Sequence, residues 1–463
     1  MNRKFLSLML LGSVGLAGCS SGTADTGSGD VEEITLWTAS TMYFLGDEKV
    51  DENGNTYRDE STAVYLHAAE QFEAETGIKV NFKTVEAGNN NVDSLVKNGD
   101  ASVDIYAAAP VMTDDQIVEY MEPAFNSVDA CNEVYRDCEM YVQSDGNIYV
   151  QVPSVAYDGL VVYNEDVIKA AGYDEIPADM ETFMEMLGDI KEMGVTPISE
   201  HRIENWPLAT FDTFAGYVGN EAGALGEMLK SDTPFAADET MGKTGRILAE
   251  LASNGYFEQS TYADFGVAMD SVAYGDAGMM LLGNWVAPQI ISRIPDGEDT
   301  TIKVAPFPTL EGDDELNVSL VPNVYFYIPK GSDAKEESQQ FIDYLINSQE
   351  VQEAWSATPN LADSSKFADT IPSYVSDLAA DIEAGDVVTI PTYVYSPNIL
   401  AAQEILKDMG VYADQKYWGN IYDAATTGGM EDAEKAMDDL NELWASAKEA
   451  RGTEYQEVDY GDA

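Results

Sequence analysis

The residues available for chemistry are unevenly stocked. The 463-residue chain has two histidines, His67 and His201, and three cysteines, against 83 Asp+Glu and 24 Lys+Arg. Two histidines leave little material for histidine-based acid–base chemistry or a metal cluster. No G-x-S-x-G elbow surrounds any serine. Gly242-Lys243-Thr244 has the ending of a phosphate loop, but Ala237 stands where its first glycine is required. Asp51, Asn53 and Asn55 alternate as calcium ligands do, yet Thr56 replaces the glycine that would turn the loop. Carboxylate pairs suited to glycoside hydrolysis arise by chance in so acidic a chain, so they carry no weight alone. Conventional catalytic signatures are therefore missing, and no catalytic residues, metal or cofactor are expected.

Composition sets the frame for those residues. Hydrophobic residues make up 45% of the chain, enough for full cores, and its length favours two lobes. The formal charge of −59 excludes nucleic acid and anionic headgroups as partners. At the N-terminus, Arg3 and Lys4 precede an apolar run over 5–11 that is too short to span a bilayer. Leu16-Ala17-Gly18-Cys19-Ser20 then resembles the lipobox of bacterial lipoproteins. That pattern implies a signal segment over 1–19 that is cut before Cys19, lipid on the Cys19 thiol and a tether over 20–30. Loss of Arg3 and Lys4 would leave a mature charge of about −61. Cys131 and Cys138 would remain, placed to close a small disulfide loop in an oxidising compartment.

The elements that must position a site follow from periodicity. Residues 34–37 read as the first strand, and Asn53-Gly54 as the turn of an exposed hairpin. Apolar residues at helical spacing over 61–76 end at Gly77, and an alternating strand follows over 78–85. Strand, long helix and strand make a βαβ unit, hence a parallel sheet and an α/β fold. Further strands are expected at 103–106, 160–163, 279–282 and 324–328. Helices are expected at 178–193, with a turn over 194–197, and at 335–347, 349–356, 398–409 and 431–450. The last carries Ala433, Met437, Leu440, Leu443, Trp444 and Ala447 on one face. Trp37 and Trp444 read as core residues.

The order of these segments resembles the family 1 extracellular solute-binding proteins, which include the maltose- and multiple-sugar-binding proteins of ABC transporters. The matching pieces are Phe72-Glu73-Ala74-Glu75-Thr76-Gly77-Ile78-Lys79-Val80, Tyr163-Asn164-Glu165-Asp166, Asn205-Trp206-Pro207-Leu208, Gly283-Asn284-Trp285 and Tyr327-Ile328-Pro329-Lys330-Gly331-Ser332. The resemblance implies a two-lobed, periplasmic-binding-protein-like fold of type II with the ligand between the lobes. Lobe 1 would take 31–154 with a return segment near 303–355, and lobe 2 would take 155–302 with C-terminal helices over 356–455. By position it implies that Trp285 and Trp418 stack on the ligand. Trp206, Glu204, Tyr157, Ser40, Thr41, Asn323 and Tyr325 are the further candidates for contact. Tyr157 replaces an acid of the maltose binders, and Ser40-Thr41 stands where they carry Asp-Lys. The implied function is capture of a mono- or oligosaccharide for ABC permease subunits, by a monomer held outside the cell membrane through its lipid. A binder of a polyamine or peptide, or a surface glycan-active enzyme, are the alternatives.

Overall fold

A computed structural model describes residues 32–451, apart from 40, 51–55, 86–90, 109–111, 113, 137, 201–205, 220–223, 258–264, 295–300, 311–314, 356–357, 364–366, 368–370 and 392–396. The expected signal segment and tether, Cys19, Ser40 and Glu204 therefore lie outside the described residues, as does the expected Asn53-Gly54 turn.

The first lobe grows from strand β1 (Glu33–Thr38), whose Ile34 and Leu36 point inward. An antiparallel ribbon of β2 (Asp47–Val50) and β3 (Thr56–Asp59) follows, which bears out the hairpin's flanks. The helix Val64–Thr76 buries Val64, Tyr65, Ala68, Ala69 and Phe72, the stripe that its 3–4 spacing dictates. Gly77 ends it at φ +81°, with its N–H bonded to the Glu73 carbonyl at 2.8 Å. The chain then returns as β4 (Lys79–Thr84), parallel to β1, and β5 (Ile105–Ala107) completes the order β4-β1-β5. A disulfide joins Cys131 to Cys138, and both cysteines are buried. Replacing both with serine should cost about 2–3 kcal/mol, the entropy of so short a loop, measured by urea unfolding against a reduced control. Equal stability of the two proteins would show that the link contributes nothing.

Strand β6 (Gln151–Asp158) leaves this lobe and leads into the second. There β7 (Leu160–Asn164), β8 (Thr196–Ile198), β9 (Ala277–Leu282) and β10 (Ile302–Pro306) form a sheet in the order β10-β7-β9-β8. The long strand β11 (Leu316–Phe326) crosses back and pairs antiparallel with β6. Short β12 (Thr358–Pro359) and β13 (Val387–Pro391) complete that crossing sheet in the order β12-β6-β11-β13. Because β10 pairs with β7, the chain regains the first lobe along β11, later than the expected return near 303.

Each lobe has its own core. One cluster gathers residues from Ile34 to Val155 with Val324 to Phe367. The other gathers Val161 to Phe307 with Ala402 to Trp444, and includes Phe214 stacked on Phe307 at 3.6 Å. A smaller cluster, including Tyr157, Val318, Val272 and Val387, fills the junction. The span from Lys416 to Arg451 is two helices that meet at a kink at the non-helical Gly429, and the second bears out the helix expected over 431–450. On its expected apolar face Leu443 is 45% exposed, whereas Ala433, Met437, Leu440 and Trp444 are buried. Trp37 is half-buried rather than core, with the Lys83 ammonium over its ring at 5.0 Å.

Candidate ligand-binding site

The junction between the lobes is built on the pairing of β6 with β11. Asp158 lies opposite Ser319, Tyr157 opposite Leu320 and Val155 opposite Pro322; beyond that the register shifts twice. Proline has no N–H for the ladder, so an irregularity there is expected. Asn323 falls in the first shift, where its Nδ2 donates to the Trp355 carbonyl at 2.9 Å. Tyr325 falls in the second shift and is half-buried.

Trp285 stands on the turn after β9. Asn284 beside it is buried, and its Oδ1 accepts the Tyr157 N–H at 3.0 Å, tying this turn to β6. Trp285 itself is half-buried and faces Phe265, with ring centroids 6.2 Å apart and planes tilted by 35°. Glycine at 283 makes room for the fold-back of the indole. A Cβ there would sit 2.5 Å from Trp285 Cδ1 and Nε1 and 3.0 Å from Asp158 Oδ1. The same construction shows that the indole and the Asp158 carboxylate flank one point. A carboxylate beside an aromatic pair, at the carboxyl end of strands, is a geometry that accepts hydroxyls along the rim of a stacked ring.

Burial pushes the Asp158 carboxyl above its ordinary range, opposed by the Gly159 N–H that donates to Oδ1 at 2.9 Å. Tyr217, on the helix Thr210–Gly219, inserts its hydroxyl between the crossing strands. It donates to the Asp158 carbonyl at 2.6 Å and accepts the Ser319 N–H at 2.7 Å. Burial, then the nearby Asp158 charge, raises that hydroxyl well above the usual tyrosine value. Nothing in the run Gln151–Asp158 or around Tyr217 marks either residue in the sequence, because neither stretch shows which strands join the lobes.

The other candidates divide. Tyr157 is buried in the junction cluster, and its backbone N–H meets the turn of Trp285. Thr41 is half-buried at the start of the helix Met42–Leu45, just past β1. Trp206 opens a short 3-10 turn over Trp206–Ala209. Trp418 lies in the second-lobe core with no exposed surface, packed against Phe211, Phe235 and Tyr417. Its Nε1 donates to Asp212 Oδ1 at 2.9 Å, and Tyr417 Oη donates to Oδ2 at 2.6 Å. The stacking role expected of Trp418 is therefore not available in this geometry; the side chain braces a helix pair instead. Among the described residues no group of three or more His, Cys, Asp or Glu could hold a metal ion. No described helix is long and apolar enough to cross a membrane.

Two α/β lobes, joined by crossing strands and meeting at an aromatic wall and a carboxylate, define a two-lobed solute-binding protein. Solved structures agree. The BlMnBP1 binding protein of an ABC transporter from Bifidobacterium animalis subsp. lactis, in complex with mannobiose, superposes with a TM-score of 0.71 at 20% identity, covering 91% of this chain and 95% of that one. RafE in complex with raffinose gives 0.64 at 16% identity, covering 90% and 99%. The GacH receptor of Streptomyces glaucescens gives 0.62 at 16% identity, covering 90% and 100%. No curated protein matches the chain by sequence. The profile of the bacterial extracellular solute-binding proteins matches residues 67–379, more than half of the chain, and the protein belongs to that family.

Proposed function

We propose that this protein captures a mono- or oligosaccharide between its lobes and delivers it to the permease subunits of an ABC importer. It acts as a monomer, held outside the cytoplasmic membrane by lipid on Cys19, and performs no chemistry. The observation that carries this reading is the half-buried Trp285 beside Phe265 and Asp158 at the lobe junction. An aromatic face with an acceptor at its edge fits a pyranose better than it fits a peptide. Neighbours of the same fold are described with mannobiose and raffinose, which supports the same ligand class. Lobe closure about β6 and β11 would let a permease distinguish loaded from empty protein.

A thermal-shift screen of residues 20–463 against sugars, oligosaccharides, polyamines and peptides tests the reading. Binding to the folded state raises the melting temperature by mass action. A saccharide should produce the shift, and Trp285→Ala should weaken its affinity by roughly 30-fold, about 2 kcal/mol of lost stacking and burial. Shifts with polyamines or peptides alone would discard the sugar. Released reducing ends on incubation with glycans would discard the assignment as a pure binder.

A further inference from the structure

We propose that the Asp158 carboxylate is a ligand-binding group that accepts saccharide hydroxyls at the hinge end of the cleft, and that Tyr217 holds it in place. The inference rests on the sugar-binding reading above and adds the acceptor and its mounting.

Three observations converge on Asp158. It is half-buried, and among the described residues no basic side chain pairs with it. Among those residues its carboxylate takes one hydrogen bond, from the neighbouring Gly159 N–H to Oδ1, and Oδ2 has no donor there. Asp158 is not among the buried atoms left without a partner, so Oδ2 keeps access to water, and a ligand hydroxyl can take that water's place as donor. Its position matches that role, since Oδ1 and the edge of the Trp285 indole flank the space above Gly283. A sugar ring stacked on Trp285 would bring its rim hydroxyls to this carboxylate. Hydrogen bonds to an ionised acceptor are about twice as strong as neutral ones.

The mounting is equally specific. The backbone carbonyl of Asp158 accepts from Tyr217, whose oxygen also accepts from Ser319 of β11. One hydroxyl thus locks the peptide carrying the acceptor to both crossing strands. Gly159 has φ +68°, and a Cβ there would lie 2.4 Å from Tyr217 Oη, so the glycine is what lets the tyrosine reach the strands. A group held this way needs little ordering when ligand arrives. Tyr217 is a positioning residue: its hydroxyl is committed to backbone atoms.

The test is calorimetric titration of the soluble chain with mannobiose, mannotriose and raffinose, and with spermidine as the cationic alternative. Wild type should bind at least one saccharide. Asp158→Asn, which keeps an oxygen for Gly159, should weaken it on the order of 10-fold, and Asp158→Ala on the order of 100-fold. Circular dichroism and urea midpoints establish that both variants fold. Tyr217→Phe should weaken binding on the order of 5-fold in wild type but have almost no effect in Asp158→Ala, since a positioning residue acts through the group it positions. Saccharide binding that is lost in Trp285→Ala but unchanged in Asp158→Ala overturns this inference and leaves the sugar reading standing. Additive effects of Tyr217→Phe and Asp158→Ala overturn the positioning role. Binding of spermidine with no saccharide overturns the sugar reading, and this inference falls with it.

Discussion

Asp212→Asn should flatten the pH dependence of stability by roughly 2–3 kcal/mol between pH 5 and pH 8. Burial raises the Asp212 carboxyl to about 7, outweighing the hydrogen bonds from Tyr417 and Trp418 that favour its charged form. No basic side chain appears among the groups that shift it. The folded value lies above the ordinary 3.8, so folding favours the protonated acid. Its contribution to stability is fully present below about pH 4, falls as pH rises, and levels off above about 7. Asparagine keeps the shape and bonds both partners without a charge. Its carbonyl can accept the Trp418 N–H while its amide donates to the Tyr417 oxygen. Urea unfolding at pH 5 and pH 8, followed by tryptophan fluorescence, gives the difference between variant and wild type. That comparison cancels the titration of the many other carboxylates. Two parallel stability curves would show that Asp212 is ionised throughout and that the buried site tolerates its charge.

Gly159→Ala should destabilise the protein by roughly 3–6 kcal/mol. Gly159 has φ +68°, and its Cβ would meet Tyr217 Oη at 2.4 Å and Thr213 Cγ2 at 2.7 Å. The left-handed backbone alone costs an L-residue about 1–2 kcal/mol. Displacing Tyr217 adds overpacking in the junction and strips the Asp158 carbonyl and Ser319 N–H of their shared partner. Gly77 provides the control, because its φ is +81° and a Cβ there meets nothing within 4 Å. Gly77→Ala should therefore show the backbone cost alone. Adding Tyr217→Phe to Gly159→Ala should recover part of the loss, since it removes the atom nearest to the new methyl. If the two glycine variants lose equal stability, the contact with Tyr217 is not what fixes the residue at 159.

Local elements were legible wherever a short stretch carried its own period. The helix Val64–Thr76 announced itself by apolar spacing and a terminal glycine, and the helix Lys335–Asn347 by the same pattern. Strand β8 was read as a turn because Gly194 and Pro197 punctuate it. It is the last strand of its sheet, beside β9, and a strand at the edge tolerates a proline. Strand β6 has no alternation to betray it, because seven of its eight residues are buried. The helix expected over 431–450 is present; what periodicity did not show is the helix that precedes it across a kink at Gly429, whose φ is +72°.

The site shows the same division more sharply. Sequence alone determined the βαβ start, the cysteine pair, the absence of familiar catalytic motifs and the order of segments that matches a solute-binding family. It also singled out Trp285. Only the tertiary structure decided that Trp418 is interior, through contacts with Phe211, Phe235 and Asp212, about two hundred positions earlier in the chain. It alone brought Asp158, Tyr217, Gly283 and Ser319 to one point. The physical reason is that periodicity encodes which face of an element is apolar. Whether a given aromatic or carboxylate ends in a core or at a cleft depends on which distant element packs over it, and neighbours along the chain carry no record of that partner.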